Sequence, residues 1–236
     1  MTESEHDLEK FRDNFIHEYR LLSRISKEDN IIALKKIQEL KENYELSDKQ
    51  KLKLVMNYLN SVTIFFTKEV GNTISVGRTE FCRYFSWGIP TKEILDKIHK
   101  ISVDKCILEI GSGKGLWAFL LEMRGCHIIP TDIHIHRQEE MFTLVEKISA
   151  VEACEKYDCQ ILLIIWPPSG STMAIDSLRK FKGDTFIYYG EYKGGCNATD
   201  EFFDELKESW INRSSYFPKN PQWHGLNDKI YLFNRK

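Results

Sequence analysis

The sequence lacks the features that mark several special classes of protein. It contains only 6 prolines in 236 residues, with no internal repeat and no low-complexity tract. Its longest uninterrupted apolar run, Ile161 to Trp166, is far shorter than the roughly 20 residues that cross a bilayer. The first residues are acidic and lack the basic and apolar regions of a signal peptide. We therefore expect a cytoplasmic protein without a membrane partner.

An excess of positive charge is also missing. The chain has 33 basic and 35 acidic residues, a formal net charge of −2. Proteins that bind the phosphate backbone concentrate positive charge on one face or in one segment. Nucleic acid is therefore not the expected partner.

The six cysteines do not form a C-x-x-C pair. Cys106 and Cys126 lie in apolar contexts that predict core positions. Disulfide scaffolds are short and rich in cysteine, whereas a chain of this length can bury a sufficient core without them. This low cysteine content favours a protein of a reducing compartment.

The apolar pattern divides the chain into two predicted parts. In the first 70 residues, apolar residues recur at steps of three and four, which predicts helices. From about residue 105, short β-rich runs alternate with helical stretches, which is typical of a parallel sheet with helices on both faces. We predict a helical N-terminal extension over 1–72 and an α/β domain over 73–236. The predicted strands are Cys106–Ile110, His127–Thr131, Ile161–Ile165 and Thr185–Tyr189.

The end of the chain has a different pattern. Two extended segments, 212–217 and 229–234, are separated by Pro218, Pro221 and Gly225. Turn-forming residues between two extended runs favour an antiparallel hairpin, here added to the sheet edge.

A glycine-rich loop follows the first predicted strand, in the order Glu-Ile-Gly-Ser-Gly-Lys-Gly from Glu109 to Gly115. A phosphate-binding P-loop needs a glycine at Leu108 and Ser or Thr at Gly115. A dinucleotide fingerprint needs a glycine at Leu116. The remaining pattern, [D/E]-x-G-x-G-x-G, resembles the first motif of the class I S-adenosylmethionine-dependent methyltransferases. The resemblance implies a mostly parallel, seven-stranded methyltransferase-type sheet and S-adenosylmethionine as cofactor. It assigns cofactor binding to Glu109, Gly111, Ser112, Gly113 and Gly115.

The next predicted strand ends in Asp132. An acidic residue about 20 positions after the glycine loop is placed to accept both ribose hydroxyls of a bound nucleoside. We count Asp132 and its neighbour Ile133 among the cofactor-binding residues. His134 and His136 follow, but no third group of metal ligands lies near them in the sequence, so no metal site is predicted.

The third predicted strand runs into Trp166-Pro167-Pro168-Ser169. This is similar to the [D/N]-P-P-[Y/F/W] motif of amino-methyltransferases, with Trp166 and Ser169 departing from it. An indole donates a hydrogen bond but cannot accept one from an amine, which argues against methylation of an adenine-type amine. Trp166 is predicted to stack on a planar acceptor or face the sulfonium; the alternative is packing under the loop. Pro167 is predicted to offer a rigid carbonyl with no carboxamide beside it.

Further segments extend the resemblance over roughly residues 78–236, to a branch of the same superfamily that carries a Trp-Pro-Pro motif. Arg83–Pro90 resembles its R-Y-x-W-x-I-P segment, and Trp87 there either walls the pocket or packs in the core. Glu191, after the fourth predicted strand, is the candidate for binding or deprotonating the acceptor; the alternative is a solvated loop carboxylate. The predicted catalytic residues are Trp166, Pro167 and Glu191.

These observations favour an S-adenosylmethionine-dependent methyltransferase that acts on a small molecule or a protein side chain. One alternative is a catalytically silent relative that works through cofactor binding or through protein contacts of the N-terminal helices. Another is a nicotinamide-dependent oxidoreductase, which the leucine at position 116 disfavours.

Overall fold

The computed structural model describes residues 86–122, 124–135, 141–218 and 225–236, together with Cys82. The predicted N-terminal helices lie outside the described residues. The extension over 1–72 and its boundary therefore stay predictions.

Helices and strands alternate through the described residues, and we number them in chain order. Two helices begin with side-chain caps: the Thr91 side chain accepts from the N–H of Ile94, and Ser149 forms a capping box with Glu152. The helices are α1 (Lys92–Ile101), α2 (Leu116–Glu122), α3 (Ala150–Lys156), α4 (Met173–Lys180) and α5 (Asp200–Ser209). The strands are β1 (Cys106–Ile110), β2 (His127–Asp132), β3 (Glu146–Lys147), β4 (Ile161–Ile165), β5 (Thr185–Gly190), β6 (Trp210–Asn212) and β7 (Lys229–Arg235).

The seven strands form one sheet in the order β3-β2-β1-β4-β5-β7-β6. The first five strands in that order are parallel, and β7 is antiparallel to both β5 and β6. In the register, Leu108 lies beside Ile129 on one side and Leu162 on the other. The carboxyl ends of β1, β2, β4 and β5 therefore meet along one edge of the sheet.

Alternate strand residues pack against helices on opposite faces of the sheet, as the two-residue period of a strand requires. Leu108, Leu162 and Phe186 share one core with residues of α3, α4 and α5. On the other face, Trp117 of α2 packs edge-to-face on Tyr189, with ring centroids 5.6 Å apart. The predicted fold class is confirmed for the described residues: an α/β fold with a mostly parallel, seven-stranded sheet and an antiparallel C-terminal pair.

The predicted hairpin needs one correction. Its first strand is not residues 212–217 but β6, and residues Ser214–Tyr216 form a 3₁₀ turn. Its pairing with β7 ends where Asn212 lies beside Phe233. The Asn212 side chain then accepts from the N–H of Ser214 and turns the chain.

The cysteine prediction needs a second correction. Cys106 is joined by a disulfide to Cys159, and it is half-buried. The two cysteines are adjacent because Cys106 begins β1 and Cys159 lies just before β4, at the same end of the sheet. Their Cα atoms are 4.7 Å apart. Cys126 is buried, as predicted. None of the helices in the described part of the chain combines the length and apolar character needed to span a membrane.

Candidate functional site

The glycine loop and Asp132 meet at the ends of two paired strands. The loop follows β1, and Asp132 ends the neighbouring β2. One carboxylate oxygen of Asp132 accepts from the N–H of Gly113 at 2.8 Å, and the other accepts from the N–H of His134 at 2.8 Å. Each oxygen keeps a second lone pair. The carboxylate therefore fixes the loop and can still accept hydroxyl groups.

Glycine is required in this loop for two different reasons. Gly111, Gly113 and Gly115 all have positive φ, at 65°, 57° and 75°. A Cβ on Gly115 would lie 2.9 Å from a methyl of Thr143, so that position packs against the neighbouring segment. A Cβ on Gly113 would meet no atom of the described residues within 4 Å. Backbone at Gly113 thus faces open space, where a ligand can approach it closely.

Ser112 and Ile133 flank this junction. The N–H and hydroxyl of Ser112 both donate to the carbonyl of Thr131, at 3.0 and 3.1 Å, which ties the loop to β2. Ile133 is 55 % exposed directly after Asp132. A large apolar side chain beside the polar junction could cover a flat ring. Its assignment to cofactor binding stays a prediction.

Glu109 is buried in β1, two residues before the loop. Burial raises its pKa to about 8; the backbone N–H of Ala118 opposes this rise, and the nearby charge of Asp132 adds to it. Its Oε2 has no hydrogen-bond partner among the described residues. The carboxyl group is thus largely protonated at neutral pH and retains hydrogen-bonding capacity beneath the loop.

Trp166 lies directly after β4, at the same edge of the sheet. Its φ is +49°, a left-handed conformation that bulky residues rarely adopt. Its backbone N–H donates to the carbonyl of Tyr189 at 2.7 Å, which joins the ends of β4 and β5. Its ring is mostly buried and lies 6.1 Å from the ring of Trp87. Strain of this kind is common at functional sites.

The prediction that Pro167 offers a carbonyl without a neighbouring carboxamide is wrong. The side-chain amide of Asn197 donates to that carbonyl at 2.8 Å. The Asn197 side-chain oxygen Oδ1 also accepts from the backbone N–H of Glu191, so this one side chain ties the loop after β5 to the Trp-Pro-Pro segment. Pro167 and the hydrogen bond to its carbonyl are buried.

Glu191 is not the solvated loop carboxylate considered as the alternative reading, because it is 6 % exposed. Its Oε2 accepts from the N–H of Cys196 at 2.9 Å, and its Oε1 accepts from the N–H of Asn227 at 2.8 Å. These bonds tie the loop after β5 to the segment before β7. The arrangement positions the loop, and the predicted role in deprotonating an acceptor stays untested.

The structure therefore brings the predicted residues together in two groups. The first joins the glycine loop to Asp132, and the second joins the Trp-Pro-Pro segment to Glu191 through Asn197. Met173 at the start of α4 lies beside the first group, since a Cβ on Gly111 would be 3.6 Å from its methyl. Sequence reasoning missed Asn197. Its position in a glycine-containing loop at a strand end was the available signal.

A metal centre finds no support in the described residues, which contain no group of three or more His, Cys, Asp or Glu side chains able to hold one ion. The site instead combines backbone amides, buried carboxyl groups and indole rings. This chemistry suits an organic ligand.

No protein-family model matches this sequence, and no curated protein does either. Among solved structures, the chain is similar to the magnesium protoporphyrin IX methyltransferase of Synechocystis PCC 6803 with bound SAM, at 12 % identity and a TM-score of 0.45. That similarity covers 82 % of this chain and 100 % of the other.

Two further solved structures show a comparable degree of similarity. The ribosomal protein L11 methylase of Lactobacillus delbrueckii subsp. bulgaricus is 14 % identical over 70 % of this chain and 80 % of its own, with a TM-score of 0.42. A dimethyladenosine transferase of Plasmodium falciparum is 16 % identical over 62 % of each chain, with a TM-score of 0.40.

Proposed function

We propose that this protein binds S-adenosylmethionine at the glycine loop and Asp132, and methylates an acceptor held at the ends of β4 and β5. The acceptor is a small molecule or a protein side chain. The observation that carries the proposal is the bond between Asp132 and Gly113, which places an acidic group and an open glycine backbone at one strand junction.

The residues present fit this cofactor. Asp132 would accept the two ribose hydroxyls through its second lone pairs. The open space at Gly113 admits a ligand against the backbone, and Glu109 keeps an unbonded oxygen beneath the loop. Ile133 would cover the adenine ring from its exposed position. These contacts require only side chains and amides that the structure already orders.

The chemistry of such a site depends mainly on position. When bound, the cofactor supplies a methyl group on a sulfonium, which a nucleophilic atom of the acceptor takes. The chain contributes by holding the acceptor in line with that methyl group. Asn197 orients the carbonyl of Pro167, and Glu191 fixes the loop that carries Asn197. A proton released from the acceptor passes to solvent in this scheme, because Glu191 is buried and its carboxylate holds the loop through the N–H groups of Cys196 and Asn227.

The first prediction concerns Asp132. Calorimetry with S-adenosylmethionine and S-adenosylhomocysteine should show micromolar binding to the full chain and none with NAD. Asp132→Ala should weaken both affinities by about 10- to 150-fold, the factor that corresponds to 1.5–3 kcal/mol for hydrogen bonds to a charged group.

Two variants separate ribose binding from support of the loop. Asp132→Asn keeps one acceptor oxygen and should lose less affinity than Asp132→Ala. Asp158→Ala removes an exposed aspartate before β4, at the opposite edge of the sheet, and should bind like the wild type. Absence of binding to the wild type at millimolar S-adenosylmethionine would show that the cofactor assignment is wrong.

A catalytically silent, cofactor-binding protein is the second candidate. The observation favouring it is that Glu191, the carboxylate that follows β5, is committed to backbone amides. Transfer of an isotopically labelled methyl group to an added acceptor separates the two. Trp166→Ala should abolish transfer without loss of S-adenosylhomocysteine affinity if the protein is an enzyme.

A further inference from the structure

A disulfide lies at the amino end of the sheet, opposite the glycine loop. It joins Cys106, the first residue of β1, to Cys159, which lies two residues before β4. Cys106 is half-buried, whereas Cys159 is only 3 % exposed. A thiol from another molecule can therefore approach the bond from the side of Cys106, while the sulfur of Cys159 is shielded.

The strands at this end of the sheet are also joined by hydrogen bonds that do not involve the sulfur atoms. The backbone N–H of Gln160 donates to the carbonyl of Cys106 at 3.1 Å, and the Gln160 side-chain oxygen accepts from the N–H of Cys106 at 2.9 Å. The carbonyl of Gln160 accepts from the N–H of Thr185, the first residue of β5, at 3.2 Å. Opening the disulfide would therefore leave β1, β4 and β5 paired.

The segment before β5 packs against Cys159. A Cβ on Gly183 would lie 2.7 Å from the carbonyl oxygen of Cys159, so the two backbone segments are close together. The guanidinium group of Arg235, in β7, donates to the carbonyl of Gly183 at 3.0 Å and to that of Phe181 at 2.6 Å. These contacts hold Cys159 in place without the disulfide. Two thiols that stay side by side have a high effective concentration for each other, which favours closing the bond again.

The other cysteines favour a reversible bond over a permanent one. The structure describes all six cysteines, and Cys82, Cys126, Cys154 and Cys196 form no disulfide. Cys196 is exposed. In an oxidising compartment an exposed thiol can exchange with a disulfide of the same chain. In a reducing compartment, by contrast, a disulfide is usually transient or redox-sensing.

We propose that Cys106 and Cys159 form a reversible redox site, which a dithiol reductant opens in the folded chain and which sets the stability of the fold. One thiolate of the reductant attacks the sulfur of Cys106, and Cys159 leaves as a thiolate that takes a proton from solvent. The second thiol of the reductant then displaces Cys106 from the mixed disulfide. The reductant loses two electrons and becomes a disulfide, and the chain gains two thiol groups. This inference does not depend on the proposed methyl transfer.

The test uses the full chain, treated below its melting temperature with glutathione disulfide as oxidant or dithiothreitol as reductant. Peptide mapping by mass spectrometry should find Cys106 joined to Cys159 after oxidation and both as thiols after reduction. Because the bond spans 53 residues, opening it frees a long segment of the unfolded chain, and the melting temperature should fall by about 5–15 °C. A second oxidation should restore the bond and the melting temperature.

Two variants isolate the bond from other effects of the reagents. In Cys106→Ser, the change of reagent should leave the melting temperature unchanged. Cys196→Ser removes an exposed thiol outside the pair and should respond like the wild type. Alkylation then separates the two sulfurs: iodoacetamide should modify Cys106 in Cys159→Ser faster than it modifies Cys159 in Cys106→Ser, because only Cys106 is accessible.

Four results would overturn the inference. One is that glutathione disulfide does not join the two cysteines. Another is that dithiothreitol opens the bond only after the chain unfolds, which would make it a permanent structural disulfide. The third is an equal melting temperature in the two redox states, or a loss of the fold on reduction that oxidation does not reverse. The fourth, faster alkylation of Cys159 than of Cys106, would show that Cys106 is not the sulfur that the reductant attacks.

Discussion

Two buried glutamates lie in the two halves of the site, and their hydrogen bonding differs. Glu109, under the glycine loop, has an oxygen without a partner among the described residues and a pKa raised to about 8. Glu191, after β5, accepts backbone N–H groups on both oxygens. In the half of the site at the glycine loop, backbone N–H groups make the contacts that hold the loop, and the buried carboxyl group is protonated. In the half after β5, the Glu191 carboxylate itself holds the loop.

This contrast predicts that Glu191 matters most for stability. Glu191→Gln replaces one accepting oxygen with an amide that donates, which faces a backbone donor. One charge-assisted hydrogen bond, worth about 1.5–3 kcal/mol, is lost and the other becomes a weaker neutral bond, so we expect a loss of about 2–4 kcal/mol in the free energy of unfolding. Urea denaturation of the full chain measures it.

Glu208→Gln, at an exposed position near the end of α5, is the matched control and should change stability little. If Glu191→Gln proved as stable as that control, the two backbone bonds would not order the loop. The carboxylate would then be available for the acceptor, as the sequence predicted.

Glu109 should make stability depend on pH in a defined direction. Its pKa is about 8 in the folded chain against an ordinary value of 4.5, so between these values the folded state keeps a proton that the unfolded state has lost. Stability therefore falls as pH rises from about 5 to 8, by up to about 1.4 kcal/mol per pH unit. Above pH 8 this contribution levels off, because both states are then deprotonated.

Glu109→Gln mimics the protonated carboxyl group and should remove that slope. Denaturation of wild type and variant at pH 5, 6, 7 and 8 compares the two, with Glu93→Gln on the exposed side of α1 as control. A variant with the same pH dependence as the wild type would show that Glu109 is ionised in the folded chain. The contrast with Glu191 would then disappear.

Local signals in the sequence were sufficient to predict that the glycine loop and Asp132 lie together. The glycines of the loop and Asp132 are recognisable because a strand, a tight turn and a second strand end follow one another within about 25 residues. The strands β1 and β4 were predicted with the bounds that the structure gives them. Long apolar runs bounded by turns predict buried strands well.

The second half depends on contacts that no local pattern encodes. Glu191 is bonded to Asn227, 36 residues further along, and Pro167 to Asn197, 30 residues further along. The Cys106–Cys159 disulfide spans 53 residues and is set by strand order. The two-residue strand β3 has no apolar run from which it could be predicted. Each of these features requires the sheet topology before it can be predicted.

The smallest expected effect on stability separates glycine conformation from ligand access in the first half. Gly113 and Gly125 both have positive φ, at 57° and 83°, and a Cβ on either would meet no described residue within 4 Å. Alanine at either position should therefore cost about the same, roughly 1–2 kcal/mol for a left-handed conformation. Only Gly113 lies at the proposed cofactor site; Gly125 precedes β2, at the opposite edge of the sheet.

Gly113→Ala should consequently lower S-adenosylhomocysteine affinity by at least about tenfold, equivalent to about 1.4 kcal/mol, because its methyl group occupies space that the ligand needs. Gly125→Ala should leave that affinity unchanged at a matched loss of stability. Calorimetry and denaturation on the same two variants give both quantities. Equal affinity in the two would mean that the open space at Gly113 is not where the cofactor approaches, and the first half of the site would have to bind its ligand through Asp132 alone.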